Sequence, residues 1–488
     1  MTRRDFLAAA AVAARAAEVE LPEAEIAEAY QKAARQNVLA AVNNQIFFGY
    51  FSVCADGKGF GRGNTYPSLD GHQLSDALLW LGQEDVVRAN FDYVKGFQKP
   101  NGLLPIAILP TTREVAHTPV EANGGFYRHW VAGDPLRALG SPTYIQNADV
   151  IFRRTQDLEW LRARLGSVNL AGEYLASLTT PQGRVGGAGY YIERPPRIEY
   201  DGVSQGYAFD AFERLERLNR RAGDGRAAGR WKELAGRVAR NFRREFWRGD
   251  HCTEYIHPER GAIDGHGLTD VDWTAIATGI AGREQVAVLW PRLKGEKAFY
   301  YGGVPTGIVT RPEAYQEWEM AKGDRHDLGA MGRVWYLEAW ARWRMGDGEG
   351  LVESLRRVAQ VGRENGYYWR ERYHPSTDGK PRPAGPNTYC EYPANLIRIV
   401  QRFLYGVDFG LDGSVRLAPV APERFWKAGF GQRLRWRGSE LNYRMDTAGV
   451  HGTYTGERAQ RLLVARRGGG KPVELKLPAS KQPYPFQA

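Results

Sequence analysis

The sequence predicts a mainly α-helical protein, an (α/α)6 barrel of six helical hairpins, followed by a small C-terminal antiparallel β domain. Three observations support this fold. Apolar residues recur at helical spacing from about residue 22 to 405, short and long connections alternate between the helical segments, and the last part of the chain alternates apolar and polar residues. Twelve helical segments are predicted, at residues 22–40, 72–82, 84–98, 143–155, 158–177, 203–221, 226–247, 271–280, 283–293, 328–345, 348–363 and 389–404.

The connections between these segments predict how the helices pair. A short turn, such as the one between residues 155 and 158, joins two helices into a hairpin, whereas long segments such as 99–142 and 248–269 gather on one face. Twelve helices in pairs make six hairpins. Because the sequence has no fixed-period repeat, an open helical solenoid is disfavoured.

The chain changes character after Leu411. The segments "RLRWRG", "ELNYRMD", "RLLVARR" and "VELKLP" alternate apolar and polar residues, which is typical of strands with one buried face. We therefore expect a barrel over residues 17–410 and a β domain over 411–488. The strands of this β domain carry basic residues that form either a solvated outer face or a docking face for an acidic polysaccharide: Arg433, Arg435, Arg437 and Arg444.

The N-terminus has the pattern of an export signal. Arg3 and Arg4 precede a short apolar run from Ala8 to Ala14, which matches a twin-arginine (Tat) signal peptide over residues 1–16. The run is too short to span a bilayer, and no later segment reaches the roughly 20 apolar residues of a membrane helix. The expected mature protein is periplasmic or secreted and has no membrane anchor.

Charge and cysteine content limit the possible partners. The net charge is +10, but residues 414–488 carry 14 basic and five acidic residues, so the central body is nearly neutral and a nucleic-acid partner is not expected. The three cysteines, Cys54, Cys252 and Cys390, form neither a disulfide framework nor a metal-binding spacing. We expect no cofactor and no essential metal, and leave a structural calcium ion open.

Two carboxylates in loops are candidates for chemistry. Glu371 lies in "WRERYHPSTDG" between two arginines, and Asp201 lies in "ERPPRIEYDGVSQGY" directly before a predicted helix. Simpler roles exist for both residues. Glu371 could be a surface residue paired with Arg370 or Arg372, and Asp201 could be a helix N-cap.

The stretch from Glu371 to Gly379 resembles the "E-(N/K)-Y-(N/D)-P-x-T-G" loop of inverting six-hairpin glycoside hydrolases, with one extra residue before the glycine. This group includes the processing α-glucosidase, trehalase and mannosylglycerate hydrolase. The resemblance implies that Glu371 is the general base that activates water. It also implies a general acid in the loop that carries Asp201, although the Ser-Pro-Arg that often follows there is replaced. Asp272, at another helix entry, is the main rival for the acid.

The same resemblance implies an exo-acting enzyme that hydrolyses an oligosaccharide or glycoside with inversion. Inversion requires an acid and a base whose carboxyl groups are roughly 6.5–9.5 Å apart. Aromatic loop residues can serve as sugar platforms or as core, and loop aspartates can bind hydroxyls or cap helices. The candidate substrate-binding residues are Tyr66, Asp70, His72, Trp130, Asp134, Arg137, Gln205, Tyr207, Asp272, Trp273, Trp318 and Trp369.

Two other functions are compatible with the sequence. A toroidal polysaccharide lyase would use Tyr127 and His129 for proton abstraction, with Asn123 or Arg128 neutralising the carboxylate of an acidic sugar. Lysis yields an unsaturated sugar that absorbs ultraviolet light, and hydrolysis does not. A non-catalytic carbohydrate-binding protein is the third possibility, and carboxylates too far apart to share a substrate would favour it.

Overall fold

The fold is that of a computed structural model, which describes residues 18–59, 63, 65, 67–117, 137–187, 199–319, 328–375 and 382–488. Several residues that the sequence singles out lie outside this part of the chain: the export signal, Tyr66, Asn123 to His129, Trp130, Asp134 and Ser376 to Gly379.

Twelve helices in the described chain form the barrel. They are α1 (Ala24–Lys32), α2 (Leu69–Trp80), α3 (Glu84–Lys95), α4 (Gly140–Thr155), α5 (Leu158–Ser177), α6 (Gly202–Ala222), α7 (Gly225–Glu245), α8 (Asp270–Thr278), α9 (Arg283–Gly295), α10 (Gly332–Arg344), α11 (Gly348–Glu364) and α12 (Glu391–Ile399). Short π-helical turns extend α1 over Ala33–Val38 and α12 over Val400–Leu404. The twelve predicted helical segments are confirmed.

The even-numbered helices form the inner ring of the barrel. Each inner helix packs against the next one in the series, and α12 packs against α2, which closes the ring. The odd-numbered helices pack outside it, with α1 against α11 and the π-helical extension of α1 against α12. The predicted toroid of six hairpins is therefore confirmed.

The connections make the two ends of the ring different. Each of the first five inner helices leads into its outer partner through a turn of two to four residues. Asp157 caps α5 by accepting from the Trp160 N–H at 2.9 Å, and Gly223 and Gly279 end α6 and α8 with φ of 97° and 82°. The long connections all enter the N-terminal ends of the inner helices. We call that end the loop face, and the end with the short turns the turn face.

The strands of the described chain are β1 (Glu18–Glu20), β2 (Ala107–Leu109), β3 (Glu114–Ala116), β4 (Tyr200–Asp201), β5 (Tyr255–His257), β6 (Gly261–Ile263), β7 (Ala330–Met331), β8 (Arg372–His374), β9 (Arg382–Ala384), β10 (Val407–Phe409), β11 (Val415–Leu417), β12 (Phe430–Trp436), β13 (Ser439–Asp446), β14 (Gly449–Gly456), β15 (Gln460–Val464), β16 (Val473–Leu477) and β17 (Ser480–Gln487). Strands β2 to β9 lie in the long loops. Because β4 pairs with β5 and β7 pairs with β8, neighbouring loops hold each other in register on the loop face.

Two sheets and the short helix α13 (Glu423–Ala428) form the β module. One sheet has the antiparallel order β1-β12-β13-β14-β17, and the other has the order β10-β11-β15-β16 with one parallel pair, β11 with β15. The predicted C-terminal antiparallel sheet is confirmed. Both β1 and β10 precede residue 411, so the module takes strands from both sides of the predicted boundary.

The basic residues of the β module are largely paired. Arg433 lies 3.2 Å from Glu18, Arg435 lies 2.7 Å from Glu440, and Arg444 lies 3.3 Å from Glu20. These contacts are on a solvated outer face, where such pairs contribute little to stability. In the described part of the chain, no helix combines the length and apolarity needed to cross a bilayer.

Candidate active site

A charged cluster lies where three neighbouring inner helices begin on the loop face. Asp70 is the second residue of α2, Arg333 is the second residue of α10, and Glu391 is the first residue of α12. Closure of the ring brings these three helix starts together although Asp70 lies 263 residues before Arg333 and 321 residues before Glu391 in the chain. Helix N-termini favour carboxylates, so two acidic side chains are stabilised here.

Arg333 organises the cluster. Its guanidinium donates two parallel hydrogen bonds to Glu391, at 2.8 and 2.9 Å, and its backbone N–H donates to the same carboxylate. Its Nη2 atom also lies 3.6 Å from Asp70 Oδ1, which accepts a hydrogen bond from the Tyr389 hydroxyl at 3.0 Å. Glu391 and Arg333 are both buried, so the two charges depend on each other.

Gly332 allows α10 and α12 to begin this close together. A Cβ atom at Gly332 would lie 2.9 Å from the backbone nitrogen of Tyr392 and 3.0 Å from Cγ of Glu391. Neither neighbour can move without disturbing the ion pair. The absence of a side chain is therefore what allows the Arg333–Glu391 contact.

Glu371 lies beside this cluster, directly before β8. Its carboxylate is paired with Arg372, and its side chain is 13% exposed. Gly385, with φ of 77°, lies against it, and a Cβ atom there would be 2.4 Å from Glu371 Oε2. Arg370 Nη1 donates to the Gly385 carbonyl at 3.1 Å. The chain thus encloses Glu371 while leaving part of its carboxylate accessible.

Asp70 is a carboxyl group with an altered proton affinity. Burial, the largest influence, raises the pKa of Asp70 to about 7, although the Arg333 charge opposes the shift. The nearby charges of Glu391 and Glu371 raise this pKa further. A carboxyl group that can hold its proton near neutral pH therefore lies within electrostatic reach of Glu371.

Asp201 lies across the ring, at the start of α6. It is fully buried, and its carboxylate accepts hydrogen bonds from the N–H groups of Val203 and Ser204, at 3.3 and 3.2 Å, and from Ser204 Oγ at 3.0 Å. The structure thus shows the N-cap role that the sequence left open for Asp201. In a ring of six inner helices, α6 is opposite α12, so Asp201 and the Glu371 loop approach the axis from opposite sides.

Asp272 is part of a capping box. Its Oδ2 accepts from the Thr269 N–H at 2.8 Å, and its Oδ1 accepts from the Cys252 N–H at 2.7 Å. Burial raises the pKa of Asp272 to about 6, and these backbone hydrogen bonds oppose the shift. Both oxygens are thus used to join the start of α8 to the loop before it.

Four of the predicted sugar-binding residues have structural contacts instead. Trp273 and Trp369 are each 1% exposed, and Trp369 Nε1 donates to the Val358 carbonyl at 3.1 Å, so both rings belong to the core. The Gln205 amide is bonded to both backbone groups of Val185 at 2.8 Å. Asp272 is used by its capping box. No face of these four side chains is open to a sugar.

The other described candidates lie at different depths. His72 and Tyr207 lie on the inner wall of the barrel, and burial lowers the pKa of His72 to about 3, which keeps its ring neutral. Arg137 is half-buried and donates to Glu199 at 3.0 Å. Trp318 is 41% exposed with the Arg260 guanidinium 4.2 Å from its ring centroid, which makes it an accessible loop aromatic.

A second charged cluster on the loop face was not predicted. His266, 2% exposed, contacts Glu254 through Nδ1 and Glu319 through Nε2 at 3.1 Å, and its ring stacks on Tyr315 at 3.8 Å. Burial favours the neutral ring, but the two carboxylates outweigh it and raise the pKa of His266 to about 9. The Glu254 carbonyl accepts from the Gly202 N–H at 2.9 Å, so this cluster supports the strand that carries Asp201.

Sequence reasoning also missed Arg333, Tyr389 and Glu391. The sequence could have indicated the position of Arg333 and Glu391, because charged residues in the first turn of an inner helix lie at the loop end of a toroid. In the described part of the chain, no group of three or more His, Cys, Asp or Glu side chains is placed to hold a metal ion.

Comparison with known proteins shows which solved structures share this fold. No protein-family model matches the chain, and no curated protein matches its sequence. Among solved structures, a GH78 family rhamnosidase from a Bacillus species superposes with a TM-score of 0.65 and 12% identity, over 88% of this chain and 40% of that one. The α-L-rhamnosidase from Dictyoglumus thermophilum gives a TM-score of 0.63 at 12% identity, over 95% and 50%.

A shorter protein matches over almost its full length. The GH63 mannosylglycerate hydrolase from Thermus thermophilus, solved with glucose, gives a TM-score of 0.55 at 12% identity, over 75% of this chain and 99% of that one. This chain spans half or less of the two rhamnosidases. At these identities the likeness shows the fold, and that fold is the six-hairpin (α/α)6 barrel of glycosidases.

Proposed function

We propose that the chain is a glycoside hydrolase whose cleft lies on the loop face. The observation that carries this proposal is the placement of Glu371 beside Asp70, Arg333 and Glu391 at the helix starts of the barrel. Charged groups with altered pKa values are typical of active sites. The fold shared with rhamnosidases and mannosylglycerate hydrolase supports the same reaction class.

Glu371 is the proposed general base. Hydrolysis with inversion needs a carboxylate that takes a proton from water as the water attacks the anomeric carbon. Glu371 is partly exposed, paired with Arg372, and held in place by the close approach of Gly385. An ion-paired, fixed carboxylate suits this role because the base must be charged and oriented before the bond breaks.

The general acid has two candidates. The resemblance of the loop at residue 201 assigns this role to Asp201, which lies across the ring from the Glu371 loop. Both of its carboxylate oxygens, however, accept hydrogen bonds at the start of α6, whereas a general acid must present a proton to the leaving group. Asp70, whose pKa burial raises to about 7, meets that requirement better. Exo action on an oligosaccharide or glycoside, and export through the twin-arginine pathway, complete the proposal.

Substitution of Glu371 tests the proposal. Purified protein would be assayed on aryl α-L-rhamnosides, α-D-mannosides and α-D-glucosides, with the anomeric configuration of the product followed by NMR. Glu371→Gln should lower kcat/KM by about 10²- to 10⁴-fold on any substrate that the wild type cleaves. Glu364→Gln, the same change at an exposed site on α11, is the matched control.

Two results would contradict the proposal. Undiminished turnover by Glu371→Gln would remove the base assignment. An ultraviolet-absorbing unsaturated product from an acidic polysaccharide, with no hydrolysis of any glycoside, would show a lyase instead.

A further inference from the structure

A cavity of about 300 Å³ runs along the barrel axis behind the candidate active site. Leu69 and Arg333 line its inner end, below the loop face, and Arg344, Asp408 and Arg416 line its mouth at the turn face. Asp70, Glu371 and Glu391 are not part of its wall. Arg333 thus belongs both to the candidate active site and to the inner end of this cavity, and the three mouth residues are exposed.

The wall of this cavity has more positive than negative charge. It contains eight arginines and five carboxylates, and the one histidine in it, His72, is neutral. Deeper in the cavity, the arginines of the wall are paired with carboxylates. Arg398 and Arg402 both donate to Asp76 at 2.8 Å, and Arg214 contacts both Asp149 and Asp210.

The excess lies at the mouth. Among the described residues, neither Arg344 nor Arg416 has a carboxylate within ion-pair distance. Arg344 Nη1 donates to the carbonyls of Ile276 and Ala277, at 3.2 and 3.1 Å, and so satisfies the C-terminal end of α8. That contact leaves its Nη2 and Nε donors available. Helix capping does not account for Arg416, which is exposed on β11.

Aromatic rings form one side of the same cavity. Tyr336, Trp340, Trp343 and Phe403 line it, and Trp343 Nε1 donates to the Ala418 carbonyl at 3.2 Å, two residues from Arg416. Trp340 and Trp343 are half-buried, so part of each ring is accessible. A flat apolar surface beside charged donors is the arrangement that binds a sugar ring, whose faces are apolar and whose edges are polar.

We propose that the turn-face mouth of the axial cavity binds an anionic monosaccharide of the hexuronate type. Arg344 and Arg416 hold its carboxylate, and its ring lies against Trp340 and Trp343. A volume of about 300 Å³ fits a ligand of this size and excludes a long chain from the interior. The inference is independent of the proposed hydrolysis, since every residue that it uses lies at the opposite end of the barrel.

Isothermal titration calorimetry on the full chain tests this proposal. The probes are D-glucuronate, D-glucose and inorganic phosphate at equal ionic strength. We expect D-glucuronate to bind in the millimolar range or tighter and the other two to bind more weakly. Arg416→Gln should weaken D-glucuronate binding about tenfold or more, because it removes a charge-assisted contact. Arg226→Gln, at an exposed arginine of α7, should leave it unchanged.

One further variant distinguishes binding at the turn-face mouth from binding at the loop face. Glu371→Gln should bind D-glucuronate as the wild type does, whatever its effect on hydrolysis. No binding of D-glucuronate, equal binding by Arg416→Gln, or phosphate or glucose binding as tightly as D-glucuronate would each overturn the proposal. Arg344→Gln is a second variant, and its folding is checked by circular dichroism. If Arg344→Gln does not fold, the result for Arg416→Gln decides the outcome.

Discussion

The two ends of the barrel differ in both connection length and charge. On the loop face, Asp70 and Glu391 occupy the first turns of inner helices, and Glu371 lies beside them. On the turn face, Arg153 and Arg344 occupy the last turns of inner helices. Helix dipoles favour this arrangement, because N-termini stabilise carboxylates and C-termini stabilise cations. The first turns of α2 and α12 thus place carboxylates on the loop face, and the last turns of α4 and α10 place arginines on the turn face.

The difference also shows where chemistry can be placed. Turns of two to four residues leave little room for functional groups, so the turn face is formed by helix ends and caps. Long loops can carry carboxylates to chosen positions, and small sheets such as β7-β8-β9 fix them there. The loop face is accordingly where we place the reaction, and the turn face is where we place a binding site.

The largest expected effect concerns which carboxyl group donates the proton on the loop face. If Asp70 is the acid, Asp70→Asn should lower kcat/KM by about 10²- to 10⁴-fold on alkyl glycosides and much less on dinitrophenyl glycosides, whose leaving groups need no proton. Asp201→Asn should then leave kcat/KM nearly unchanged, because asparagine caps a helix N-terminus about as well as aspartate does. The opposite ranking on alkyl glycosides would assign the acid to Asp201.

Two buried carboxylates, Asp76 inside the barrel and Glu391 at the loop face, can be removed one at a time. The two variants show how well the arginines left behind are compensated by other groups. Asp76→Ala leaves two arginines, Arg398 and Arg402, without their shared partner, whereas Glu391→Ala leaves Arg333 with Asp70 still 3.6 Å away. We expect each change to lower the free energy of unfolding by about 3–5 kcal/mol, with Asp76→Ala the more costly.

The free energies of unfolding of Asp76→Ala and Glu391→Ala are measured by urea denaturation, with circular dichroism as the signal. Glu173→Ala is the matched control, because Glu173 pairs with Arg230 at an exposed site and should contribute under about 1 kcal/mol. Equal stability of Asp76→Ala and the control would show that the buried arginines find other partners.

A smaller, pH-dependent effect is expected from His266. Its folded-state pKa of about 9 lies above the unfolded value of about 6.5, so it stabilises the folded protein fully below pH 6.5. That contribution is lost as the pH rises through about 9, and it amounts to no more than about 3 kcal/mol. His266→Gln should abolish this part of the pH dependence in unfolding experiments between pH 6 and 10. An unchanged profile would show that His266 is neutral in the folded state.

The sequence predicts the architecture well because helical periodicity and turn length are local properties. Together with the absence of a fixed-period repeat, the alternation of short and long connections predicts a ring with its loops on one face, and the last segments predict the sheet. Contacts between distant residues are not local. Arg333 and Glu391 are 58 residues apart, and no spacing in the sequence indicates that their side chains meet.

The individual site residues show the same limit. Trp273 and Trp369 lie in segments rich in polar and turn-forming residues, yet both are core, because a tryptophan in such a segment can face either way. The sequence did indicate both alternatives for Asp201, since a helix entry suits a cap as well as an acid. The environment of Asp70 depends on burial and on three neighbouring charges, none of which can be read from its own segment.

The role of Glu371 in activating water for an inverting hydrolysis can be tested with Glu371→Ala in the presence of sodium azide. Azide attacks an anomeric carbon without first losing a proton, so it does not need the base. We expect Glu371→Ala to be inactive in water and azide to restore cleavage, with NMR showing a glycosyl azide of inverted configuration. Full activity without azide, or a glycosyl azide of retained configuration, would contradict it.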